Sequence, residues 1–130
     1  MELSDLSLDQ RKAVAVYAFQ MMVADHTAVQ AENRHVDWLE RELDVLGTIA
    51  AHDYFTEPDA ALFTDLPSRR LLLCQLMLVA LADNHEHPDE NALMRRLVEQ
   101  FGWPAGCLRI FREWAETPPQ SRPVISTLLA

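Results

Sequence analysis

The stretch DLPSRRLLLCQLMLVALAD at positions 65–83 decides the fold, because its apolar residues run around every side of a helix drawn through it. Leu71, Leu72, Leu73, Cys74, Leu76, Met77, Leu78 and Val79 leave Gln75 as the one polar break, and a helix that is hydrophobic all round belongs inside a core. Asp65 supplies an N-cap, and Pro67 sits in the first turn, where a missing N–H costs nothing. The longest apolar stretch, Leu71 to Ala82, is broken by Gln75 and is too short to cross a hydrocarbon layer of about 30 Å. A buried helix of a water-soluble bundle is expected.

Working outward, a shift of 58 positions lays SLDQRKAVAVYAFQMMVAD, residues 7–25, on the same template. Leu8, Arg11, Ala24, Asp25, Glu32, Asn33 and Leu39 recur as Leu66, Arg69, Ala82, Asp83, Glu90, Asn91 and Leu97. That is seven identities in 33 aligned positions (7–39 against 65–97), where chance gives roughly two. Internal repetition outranks other sequence signals. Ser7 and Gln10 form a capping box for a first helix over about 8–25. Val36, Leu39, Leu43 and Leu46 make one stripe of a second helix over about 30–46, with Gly47 as its stop. Residues 50–65 read as a connector with a short helix after Glu57-Pro58. In the second copy Pro88 opens a helix whose Leu93, Met94, Leu97, Val98 and Phe101 face inward, and Gly102 ends it. A further helix covers 104–116, and the apolar tail 124–129 docks as a short last helix.

The expected fold is therefore all-α, a single domain over 1–130. It is a bundle of about six or seven helices built from two pseudo-repeated hairpins (about 7–46 and 65–101) plus C-terminal helices within 104–130.

Composition agrees with helices: 49% of the 130 residues are hydrophobic, 24% are charged, and only three are glycine. A formal charge of −9 repels nucleic acid and anionic membrane surfaces. The one basic patch the chain offers is Arg69-Arg70 with Arg95-Arg96, expected on solvated faces or paired with acids. No nucleic-acid partner is expected, and no transmembrane segment. Cys74 and Cys107 sit among apolar residues, as buried thiols do in a reducing compartment. The acidic start Met1-Glu2-Leu3-Ser4-Asp5 has no signal-peptide character, so a cytoplasmic protein is expected.

The repeated acids carry the functional signal. Asp25 and Asp83 fall at the C-terminal ends of their helices, where the free carbonyls already present about half a negative charge. Glu32 and Glu90 fall in the first turns of the following helices, where a carboxylate is favourable and can cap. The glutamates are explained by capping alone; the aspartates need a cation, an arginine or loop N–H donors. Bringing these groups together gives an oxygen-rich, negative site suited to Ca²⁺, Mg²⁺ or Mn²⁺.

The run Met22-Val23-Ala24-Asp25 followed by Ala31-Glu32, and its echo Val79-Ala80-Leu81-Ala82-Asp83 followed by Asp89-Glu90, resemble the paired motifs of the TerB-like tellurite-resistance family. The resemblance covers about residues 7–101. It implies a small all-helical domain with an acidic metal-binding surface, in which Asp25, Glu32, Asp83 and Glu90 are the metal-site candidates. The family usually has Gly directly after the motif Asp, where this chain has His26 and Asn84. Asn accepts a left-handed backbone more readily than His. If one copy has lost its ion, it is the first.

Other constellations compete less well. Glu32 and His35 form the Glu-x-x-His pair of di-iron carboxylate bundles, but the position matching His35 is Leu93, so a di-iron oxidoreductase lacks one histidine. His85-Glu86-His87 is not a His-Glu-x-x-His zinc motif. Residues 83–94 fail as an EF-hand, with Pro88 at the glycine position and Met94 at the bidentate glutamate. His87-Pro88-Asp89 matches a J-domain triplet, yet the helix before it is apolar, not basic. No phosphate loop or nucleophile elbow is present. Trp38, Trp103, Trp114 and Phe111 are expected mostly in the core, and Arg109 to Trp114 is the place to look for a partner surface. The sequence thus points to a non-enzymatic module that binds a divalent cation and a protein partner; the alternatives are a di-iron enzyme and a metal-free interaction domain.

Overall fold

Two caps set where the central helices begin. Ser7 and Gln10 form the reciprocal box read from the sequence, with Gln10 N–H donating to Ser7 Oγ at 3.1 Å and Ser7 N–H to Gln10 Oε1 at 3.0 Å. They start helix α1, Leu8–Ala24. Asp65 Oδ1 accepts from Ser68 N–H at 2.9 Å and starts α3, Leu66–Leu81, with Pro67 in its first turn. The remaining helices are α2 (Gln30–Glu42), α4 (Ala92–Gln100) and α5 (Cys107–Glu116). This computed structural model describes residues 2–24, 30–82, 92–104 and 106–129, with the backbone alone for 23, 24 and 30–33.

Among the described residues there are five α-helices and no strand. Segments expected as short helices, including Ala60–Leu62 and Ile125–Thr127, form single 3₁₀ turns instead. Each follows a proline, Pro58 or Pro123, that holds the preceding backbone extended and leaves too few residues to propagate an α-helix.

α1 and α3 form the centre. Every residue of α1 from Ala13 to Ala18 is buried, as is every residue of α3 from Arg70 to Met77. They pack on each other more extensively than any other pair of elements, and α5 and the turn at Ile125–Thr127 cover the rest of α3. α2 lies on α1 and α3, whereas α4 makes its main helix contact with α5. The two hairpins are therefore not packed alike. The largest fully buried side chains are Tyr17, Phe63 and Phe111, within one continuous apolar cluster. Tyr17 meets its polar requirement inside this cluster by donating to Pro58 O at 2.7 Å, and burial pushes its hydroxyl up to about 12.

The exits of α2 and α4 are built from one pattern of hydrogen bonds. In α2, Asp44 N–H donates to Arg41 O and Val45 N–H to Glu40 O, both at 3.0 Å; in α4, Gly102 N–H donates to Glu99 O and Trp103 N–H to Val98 O, both at 3.0 Å. Each atom in the second set lies 58 residues after its counterpart. This is the Schellman closure, which requires a left-handed residue. Gly102 (φ 73°) supplies it at no steric cost, and Asp44 (φ 56°) supplies it under strain. α2 thus stops at Glu42 and not at about residue 46, and Leu46, expected on the core stripe, is 52% exposed.

The tail is tied down by polar contacts. Arg122 donates to Thr117 O at 2.9 Å and Ala115 O at 2.8 Å while lying over the Trp114 ring, and Trp114 Nε1 donates to Pro123 O at 2.9 Å. These bonds satisfy carbonyls at the end of α5 and turn the chain back onto α3, where Leu128 is buried.

Candidate functional site

The frame around the two acidic segments follows from the fold. Gln10, at the start of α1, donates to Leu62 O at 2.8 Å, four residues before α3 begins. Tyr17 meets Pro58, and Gln20 donates to Tyr54 O at 3.1 Å, so the connector runs back along α1 toward its start. α3 then begins beside the start of α1, and the two helices share the most extensive interface of the fold. At 17 and 16 residues they are nearly equal in length.

Of the four metal-site candidates, Asp25, Asp83 and Glu90 lie outside the described residues, as do His26, Asn84, His85 and His87. Glu32 is placed in the first turn of α2 by its backbone, and its side chain lies outside the described set. Among the described residues no three His, Cys, Asp or Glu side chains stand close enough to hold a metal ion.

His35, one turn after Glu32, is half-buried with its ring 5.4 Å from that of Trp38, and its Nε2 is buried without a hydrogen-bond partner. Burial lowers its pKa below the usual 6.5. Leu93, at the matching position of α4, is buried in the apolar cluster. Neither cysteine is placed for nucleophilic work, since Cys74 and Cys107 are both buried and burial raises both thiols.

The basic patch expected from the sequence is dispersed. Arg69 donates to Phe63 O at 2.8 Å and lies over the Phe101 ring at 4.7 Å. Arg96 pairs with Glu57 at 2.6 Å. Arg70 is 8% exposed, its Nε without a partner, and Arg95 stays on the surface. Arg11, the counterpart of Arg69, likewise reaches the end of its hairpin by donating to Leu43 O at 2.9 Å; Leu43 and Phe101 are again 58 residues apart.

Arg95 and Arg109 line a cleft of about 900 Å³ between α4 and α5, together with Glu99, Val98, Trp103 and Ile110. Trp103 stacks on Phe111 at 5.9 Å with a 10° interplanar angle. The segment 109–114 expected as a partner surface is thus split: Arg109 and Ile110 face the cleft, and Phe111 and Trp114 are buried. Trp38, expected in the core, is 48% exposed. The sequence reading missed the burial of Arg70; the signal available was a position on the helix with no polar face.

No helix among the described residues is long and apolar enough to cross a membrane. Comparison of the chain with protein-family models, curated proteins and solved structures gives no match.

Proposed function

We propose that the protein is a TerB-like helical domain that binds a divalent cation and serves as a binding or regulatory module, of the kind used in tellurite or stress resistance. Asp25 and Asp83 ligate the ion, and Glu32 and Glu90 ligate it or orient the ligands from the starts of the facing helices. An all-oxygen set of this kind suits Ca²⁺, Mg²⁺ or Mn²⁺. By their sequence positions Asp25 and Asp83 fall where helix ends are least hospitable to negative charge, and a cation offsets both repulsions.

The observation that supports this reading is that the helix caps and closures recur at the offset of the repeated acids. Caps at Ser7 and Asp65 and closures at Asp44 and Gly102 keep the 58-residue offset, the closures lying past the last sequence identity at Leu39 and Leu97.

Thermal unfolding in chelator, then with each ion, tests the reading: ion at a hundred times its dissociation constant raises stability by about 2.7 kcal/mol. The shift should vanish in Asp25→Asn/Asp83→Asn. A shift that survives the double substitution removes the site. The α4–α5 cleft, with Arg95 and Arg109 on its rim and Trp103 in its wall, favours a metal-free interaction domain as the second reading. Partner capture that is indifferent to chelator would select it.

A further inference from the structure

A second site is indicated at the opposite end of α3. Arg70 lies just after the first turn of α3 and is nine-tenths buried, at 8% exposure. Its Nε is shut off from solvent without a hydrogen-bond partner, and its guanidinium makes no ion pair with any described residue. The neighbouring arginines differ: Arg69 caps Phe63 O, Arg96 pairs with Glu57, and Arg122 caps Thr117 O and Ala115 O. A buried guanidinium without a counter-charge is unfavourable, and a bound anion would relieve it.

Arg70 lines a recess of about 170 Å³ whose other walls are Pro67, Val124, Ile125 and Ser126. The outer wall is fixed by the bonds from Arg122 and Trp114, and by Thr127 Oγ1 donating to Val124 O at 2.6 Å. The recess opens to the surface, where Val124 is exposed, and its outer wall is held by these bonds. At roughly 30 Å³ per water it has room for five or six small groups, well below the roughly 300 Å³ of pockets for drug-sized ligands. One guanidinium fork and one hydroxyl are the polar groups of its named lining; Pro67, Val124 and Ile125 are apolar. A phosphate carries up to two charges and three acceptor oxygens that this lining would leave short of donors. A carboxylate is satisfied by the fork alone, and a short aliphatic chain suits the walls.

We propose that this recess binds a carboxylate carried on a short aliphatic chain, with Arg70 as the charged anchor and Ser126 as a second donor. The carrier is a free short-chain acid or the C-terminal carboxylate of a peptide, which share this chemistry. The proposal is independent of the cation reading, since Arg70 and Ala82 are about 18 Å apart along α3 at 1.5 Å per residue.

The test titrates the full chain with butyrate, with Ala-Ala-Val as free acid and as amide, with inorganic phosphate, and with chloride at matched ionic strength. The readouts are melting temperature and the ¹⁵N–¹H resonance of Arg70 Nε. Butyrate should shift both saturably and assign a free acid; a response to the free-acid peptide but not to its amide or to butyrate assigns a chain terminus. Arg70→Met should weaken either response at least tenfold. Ser126→Glu places a carboxylate in the recess from within, so it should raise the melting temperature and abolish the response. It decides the matter even if Arg70→Met fails to fold. The proposal is overturned if neither carboxylate shifts the resonance, if phosphate alone does, or if Ser126→Glu destabilises the protein and leaves butyrate binding intact.

Discussion

Replacing Asp44 with glycine should make the protein more stable, although Asp44 closes α2 with intact hydrogen bonds. At φ 56° its Cβ crowds the backbone, and an L-residue in this region costs about 1–2 kcal/mol, somewhat less for Asp. The exposed carboxylate also faces the negative end of α2, adding about 0.5 kcal/mol at low salt. Against this, glycine loses more backbone freedom on folding, about 0.5–1 kcal/mol. The net gain is about 1 kcal/mol, or about 3–5 °C for a chain of this size. Gly102→Asp is the mirror experiment: nothing lies within 4 Å of the Cβ it would add, so the loss reports the φ of 73° and the added charge, not a clash. Urea unfolding of both variants and of the double exchange measures the pair, and the exchange should be neutral within about 0.5 kcal/mol because the sites are independent. A neutral or destabilising Asp44→Gly, with Gly102→Asp harmless, would refute the matched closures.

Gln75→Met should stabilise by about 1–2 kcal/mol, because Gln75 is 7% exposed with an unpartnered Oε1 and methionine keeps its length without the polar group; chemical denaturation checks it. Asp65→Ala should cost about 1 kcal/mol at neutral pH. The bonds to Ser68 depress the folded pKa of Asp65, so the cap contributes above pH 3.8 and its loss should close the gap to wild type as pH falls below that value. His35 is depressed by burial, so its neutral form contributes fully above pH 6.5 and its share of stability is lost as pH falls from there. His35→Leu should flatten that part of the stability curve, read by unfolding at pH 7.5, 6.5 and 5.5.

The helix starts were legible because each rests on one local pair, Ser7 with Gln10 and Asp65 with Ser68. So was the exit of α4, where the left-handed residue is the glycine that favours it. The exit of α2 was misread because an aspartate takes that conformation under strain, while Gly47 (φ 77°) serves a later turn. Long-range effects were hidden for a different reason. Arg70 becomes buried only when residues 124–126 fold over it, and α4 turns to α5 because α5 and the tail already cover α3; neither depends on local periodicity. The acidic pairs were legible as a spacing, and Asp25, Asp83 and Glu90 lie outside the described residues.

The most direct measurement is an isothermal titration of chelator-stripped protein with Ca²⁺, Mg²⁺ and Mn²⁺, repeated on Asp25→Asn/Asp83→Asn with circular dichroism to verify its helices. The account predicts saturable binding of one of these ions to the natural chain and none to the folded double variant. Equal binding by both, or by neither, would contradict it.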